Sequence, residues 1–157
     1  MMTYYGWVGM GGDLQHMAST ICNCLGHGEN NTAVDMLLET AAAETGLGSV
    51  PDPTQGAGMG LTQFDRLPFD DIKRRSMGQR DKILDELKID ISLVEWEHLR
   101  YNQFLSLLFT RLLYRLRPEP IPVSREGRAV YWKQFYNTEA GAGTVEHYMK
   151  MCARFLI

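Results

Sequence analysis

Cysteine is scarce in this 157-residue chain and odd in number: Cys22, Cys24 and Cys152. Three thiols make no complete disulfide framework, and Cys22 and Cys24 stand too close in sequence to bridge each other readily. Reduced thiols in a chain folded in the cytosol are expected. Neither sign of charge is in large excess. A net charge of −3 implies no strong attraction to nucleic acid or to an anionic membrane, although Lys73-Arg74-Arg75 makes a local basic run. Long apolar runs are missing as well. The most apolar stretch, Phe104 to Tyr114, is short and contains Arg111, so no transmembrane helix is expected. Met1 to Gly12 lacks a basic segment followed by an apolar core, so no signal peptide is expected either.

What is present suits one domain with a substantial core. The chain reads as an N-terminal arm and first helix over residues 1–30, followed by the main domain over residues 31–157. The arm is punctuated by Gly6, Gly9, Gly11 and Gly12 and carries Tyr4, Tyr5 and Trp7, which pack on the domain surface or meet a partner or a sugar. Asp13 is a candidate cap for a helix ending at Gly26. His16, Cys22, Cys24 and His27 lie close together, but their spacing fits no common zinc pattern and Cys22 and Cys24 point to different sides of a helix. No metal and no cofactor is expected.

Further helices are expected over Ala33–Glu44, from Pro68 to about Ser76, and over Arg80–Leu87, with Ile89 and Ile91 extended. A long central helix is expected from a cap at Ser92 to just before Pro118, apolar nearly all round. Pro118 to Pro122 is a stiff link. Ser124 and Thr144 are caps for two last helices. In the Ala33–Glu44 helix, Val34, Leu37, Leu38, Ala41 and Ala42 form the core stripe, and Glu39 reads as an ordinary residue on the solvent side. Glu44 ends the same stripe. A carboxyl on a buried face is paired, capping or functional. A helix C-terminus and apolar neighbours both disfavour its ionised form, which is what a general acid for glycosidic cleavage needs.

After Glu44-Thr45-Gly46 comes a loop rich in Gly, Pro and Asp, then Gly60-Leu61-Thr62-Gln63, with Gln63 nineteen residues beyond Glu44. Near the C-terminus stands Tyr136-Asn137-Thr138-Glu139-Ala140-Gly141-Ala142-Gly143-Thr144-Val145. This set resembles the soluble lytic transglycosylases and goose-type lysozymes. Those proteins show Glu-Ser at a helix end, Gly-Ala-x-Gly-Leu-Met-Gln about twenty residues later, and Ala-Tyr-Asn-Ala-Gly-x-Gly-x-Val. Here Thr45 replaces Ser, Ala57-Gly58 reverses Gly-Ala, Thr62 replaces Met, and two extra residues separate Asn137 from Gly141. Tyr101-Asn102 stands roughly where the family carries Asn-Ile. The resemblance spans residues 32–148 and is that of a phage version of the family.

The resemblance implies a mainly α, lysozyme-like domain with a small loop or hairpin region after the acid. It implies cleavage of the β-1,4 bond between N-acetylmuramic acid and N-acetylglucosamine in peptidoglycan strands. Glu44 would be the catalytic acid, and Thr45, Gly60, Leu61, Gln63, Tyr136 and Asn137 would contact substrate. From the residues alone, Gln63 equally suits a cap on its own turn and Tyr136 a helix-end aromatic. A lytic transglycosylase needs one carboxyl. An inverting muramidase needs a second, separated by about 6.5–9.5 Å, for which Asp52 and Asp65 are the candidates, Asp52 being equally a turn residue. Such an enzyme, made in the bacterial cytoplasm without a signal peptide, reaches the wall through a virion, a holin lesion or a secretion machine, as an endolysin or a virion-associated lysin. The alternative is a virion or secretion-apparatus structural protein with the same fold and little or no activity.

Overall fold

The computed structural model describes residues 11–50, 58–137 and 141–156. Tyr4, Tyr5, Trp7 and Asp52 lie outside the described residues, as do Thr138, Glu139 and Ala140, where the third motif carries its extra length. Seven α-helices run through the described residues: α1 Gly11–Leu25, α2 Ala33–Thr45, α3 Arg66–Arg75, α4 Arg80–Leu87, α5 Gln103–Arg115, α6 Arg125–Trp132 and α7 Val145–Phe155. The fold is mainly α. Extended pairing among the described residues is limited to one antiparallel bridge, Met59 with Phe64.

Local chemistry sets the helix ends. The side chains of Asn102, Ser124 and Thr144 accept hydrogen bonds from the N–H groups of Leu105, Gly127 and His147, each satisfying a donor that a helix start leaves open. At the other ends, Gly26 (φ 98°) and Gly46 (φ 55°) take the left-handed conformation, and their N–H groups close onto the carbonyls of Cys22 and Ala42.

Helix α5 fills the centre. Its residues from Leu105 to Tyr114 are all buried, and it packs against α1, α2, α3 and the 3-10 turn Trp96–Arg100. α2 lies between α1, α5 and α7, and α6 packs on α7. Cys22, Cys24 and Cys152 are buried and unbridged. Burial pushes the Cys22 thiol up to about 11 and the Cys152 thiol up to about 12.

Two expectations are corrected here. The central helix begins at Gln103, not near Ser92. The segment before it forms two short 3-10 turns, Ile91–Leu93 and Trp96–Arg100, separated by extended backbone at Val94 and Glu95. Asp90 causes the first: its carboxylate caps Ser92 N–H and is clasped by the Arg80 guanidinium at 2.8 and 2.9 Å, so Ile91 turns rather than extending. Asn102, not Ser92, caps α5, while Tyr101 beside it is 66% exposed.

The second correction is Glu39. It is 1% exposed, whereas Val34 and Leu38 of the expected core stripe are only partly buried. The small side chains of Thr40, Ala41, Ala42 and Ala43 are all buried, so neighbours approach α2 on several sides and leave Glu39 no solvent face. Arg128 grips the carboxylate with two N–H groups at 2.7 and 2.8 Å. Arg125 adds a contact at 3.2 Å, and Tyr148 donates its hydroxyl at 2.7 Å. Arg128 also donates to the carbonyl of Val123 at 2.6 Å. One buried carboxylate thereby ties α2 to α6, to α7 and to the link before α6.

Candidate active site

Glu44 sits half-buried in the last turn of α2. The helix stops just beyond it because Gly46, Leu47 and Gly48 all have positive φ. A Cβ on Gly46 would press on the Phe155 ring of α7 at 2.8 Å, so the stop is also a packing contact. The indole Nε1–H of Trp132 donates to Glu44 Oε2 at 2.9 Å. Trp132 is 1% exposed and its ring lies 5.3 Å from that of Tyr148. A Cβ on Gly143 would collide with the Trp132 ring, so this glycine of the third motif makes room for the indole. One residue before the acid, the Ala43 carbonyl accepts from His147 Nε2 at 2.9 Å, which places the proton on that nitrogen.

The turn at residues 60–63 is closed by reciprocal backbone bonds of 3.0 Å between Met59 and Phe64. Gly60 has φ 78°, and a Cβ there would run into the Leu99 carbonyl and lie 2.6 Å from Ser106 Oγ. Both conformation and space therefore demand glycine. Gly60→Ala is expected to destabilise the chain by about 2–4 kcal/mol in urea unfolding. Gly78→Ala, where an added Cβ meets nothing within 4 Å, is expected to be near neutral. Equal effects at the two glycines would remove this account of the turn.

The three motifs meet at this turn. Thr45 Oγ1, fully buried, donates to the Leu61 carbonyl at 2.6 Å and accepts from Gly48 N–H at 2.9 Å. Tyr136 donates its hydroxyl to the Thr62 carbonyl at 2.6 Å. Inside the joint, Thr62 Oγ1 lies 2.8 Å from Thr110 Oγ1 of α5. Trp96 Nε1–H donates to the Phe64 carbonyl at 2.7 Å, fastening the far side of the turn.

Tyr136 belongs to a widened π turn, Lys133–Asn137, that follows α6 directly. Such turns carry one residue more than an α-helical turn and often stand at functional sites. Its ring packs at 5.9 Å from Phe64 and 5.7 Å from Tyr114. Burial first, and the Glu44 charge second, push the Tyr136 phenol well above its ordinary range, and Asp65 adds to this. Burial likewise raises Tyr114, with Tyr136 and Glu44 contributing. Both phenols stay protonated, so Tyr136 remains a donor to Thr62 at any ordinary pH.

The sequence-derived site residues thus divide. Glu44, Thr45, Gly60, the Leu61 backbone and Tyr136 come together. The Leu61 side chain is in the core. Gln63 has φ 49° and turns back so that its Nε2 donates to the Gly60 carbonyl at 2.9 Å, the capping arrangement rather than one facing outward. Asn137 accepts from Lys133 Nζ at 2.7 Å and lies against Gly141, so it braces its own loop. Asp65 is exposed at the start of α3, and its charge reaches Tyr136.

Trp132 escaped the sequence reading as a site residue. Its signal was there: it stands four residues before Tyr136, one helical turn away, and Gly143 is the residue it excludes from bearing a side chain.

Among the described residues no group of three or more His, Cys, Asp or Glu side chains is placed to hold a metal, and no helix is long and apolar enough to cross a membrane. No protein-family model, no curated protein and no solved structure matches the chain.

Proposed function

We propose that this chain is a peptidoglycan-cleaving glycosidase with a lysozyme-like fold, acting as a lytic transglycosylase through Glu44. One observation carries the reading. Three segments far apart in sequence, each resembling a motif of that enzyme family, are joined by direct hydrogen bonds at one turn: Thr45 to Leu61 and Tyr136 to Thr62. Chance resemblances in a helical chain have no reason to converge in this way.

The chemistry follows from the carboxyl and its setting. Partial burial and the C-terminal end of α2 both favour the neutral form, which can protonate the leaving glycosidic oxygen. The resulting carboxylate then takes the proton from the C6 hydroxyl of the muramic residue, whose oxygen closes on C1. The product is a 1,6-anhydro sugar, and water takes no part. One carboxyl serves both steps. Asp65 is the described carboxylate on which a hydrolytic course would draw.

Mass spectrometry of muropeptides released from purified peptidoglycan tests the reading. Anhydro-muramic ends are expected. Reducing muramic ends would replace the transglycosylase by a hydrolase and turn attention to Asp65 and Asp52. No release, from walls that a control lysozyme digests, would overturn the enzymatic reading in favour of a structural protein.

A further inference from the structure

We propose that Trp132 is the positioning residue for Glu44: its indole N–H fixes one carboxylate oxygen, and Gly143 and Tyr148 hold the indole in place. The inference takes from the proposed function only the choice of Glu44 as the acid. It stands on a different set of contacts from those that join the three motifs.

The geometry is specific. Trp132 Nε1 lies 2.9 Å from Glu44 Oε2, and an indole has one N–H and no acceptor. It can therefore donate to a carboxyl oxygen, and the bond is strongest when that oxygen is charged. The ring cannot retreat. It is 1% exposed, with Tyr148 at 5.3 Å on one side and the Cβ-less Gly143 against its edge. Tyr148 is itself fixed, because its hydroxyl donates to Glu39 at 2.7 Å. The buried Glu39–Arg128 pair therefore bears on Glu44 through two aromatic side chains in contact, their rings tilted by 45°.

The bond also has a direction of effect. Burial and the helix end favour neutral Glu44, whereas a donor on Oε2 favours the anion. Trp132 thus acts on the same carboxyl in the direction opposite to the other two influences. Titratable and charged groups brought toward this end of α2 come from α5, the π turn, α7 and the residue before α3. Tyr114 of α5 and Tyr136 of the π turn feel the Glu44 charge and are protonated. His147 of α7 donates to the Ala43 carbonyl. Lys133 is held by Asn137 and by the Gly141 carbonyl. Asp65, after the turn, acts on Tyr136.

The test reads the indole directly and needs no activity. The chain has three tryptophans, Trp7, Trp96 and Trp132, so Trp7→Phe and Trp96→Phe assign the Trp132 indole resonance with its own ring intact. In a ¹H–¹⁵N titration the Trp132 indole N–H is expected to shift upfield on acidification with a single midpoint, and that titration is expected to vanish in Glu44→Gln. Gly143→Ala, which crowds the ring without altering donor or acceptor, is expected to raise the midpoint by about one pH unit as the hydrogen bond weakens. An indole that does not titrate, or one that titrates equally in Glu44→Gln, would overturn the proposal. An unchanged midpoint in a folded Gly143→Ala would overturn the positioning role. A chain that passes this test and releases no muropeptides would keep the Trp132–Glu44 pair and lose the glycosidase.

Discussion

Glu44→Gln is expected to cut muropeptide release by about 10³-fold or more, at the strong end of what a general acid contributes, because in the proposed mechanism one carboxyl serves as acid and then as base. The fold is expected to survive. Glutamine matches glutamate in shape, and its side-chain carbonyl can still accept from Trp132 Nε1, which lies 2.9 Å from Oε2 in the native chain. Unfolding free energy is therefore expected to change by no more than about 1 kcal/mol. The combination is informative: a folded, substrate-binding, inactive protein. Glu44→Asp makes a second point. It keeps an acid but withdraws it from both Trp132 and the substrate by one methylene, and a misplacement of about 1 Å costs roughly 10²-fold. Activity near the native level in Glu44→Gln would remove Glu44 from the chemistry.

Glu39→Ala is expected to be the most destabilising single change described here, by about 3–5 kcal/mol in urea unfolding. It removes the carboxylate that is hydrogen-bonded to Arg128 and leaves the guanidinium buried, with Asp35 acting on it only through its charge. Among the described residues Arg128 then keeps its hydrogen bonds to the backbone carbonyls of Pro122 and Val123. Against a total stability of about 5–15 kcal/mol for a domain, the loss brings the chain close to unfolding. A double-mutant cycle makes the claim specific. Glu39→Leu with Arg128→Met removes both charges, and its cost is expected to fall below the sum of the single costs by at least about 2 kcal/mol. Additive costs would mean that the two side chains do not act as a pair. Moderate loss in Glu39→Ala would mean that water enters where the structure has packed side chains.

Much of the helical framework was legible because it is local. Gly26, Gly46, Ser124 and Thr144 stop and start helices through bonds to residues within one turn, and these bonds follow from residue type. The start of α5 was not legible in the same way. Ser92 and Asn102 are both good caps by type, and the choice between them falls to Arg80, which draws Asp90 into a clasp and so shapes the turn at Ile91. Glu39 was misread for a related reason. Helical phase assigns each residue a side, but it cannot reveal that α1, α5 and α7 occupy several sides at once. Two arginines three apart, Arg125 and Arg128, were the only written sign that a carboxylate awaited them. At the candidate site, order and spacing singled out Glu44, Gly60 and Tyr136, which the fold brings toward one turn. Where Gln63 and Asn137 point depends on a left-handed turn and on Lys133, and neither is written in a motif.

Both bonds that fasten the outer motifs to the central turn end on main-chain oxygens, those of Leu61 and Thr62. Peptide carbonyls are the same under every side chain. The joint can therefore outlast replacement of the letters at those two positions, provided Gly60 keeps the bend and a hydroxyl remains at Thr45 and at Tyr136. Selection on such a joint acts on shape more than on spelling. Side chains at the turn can therefore change while the main-chain oxygens that receive Thr45 and Tyr136 stay where they are.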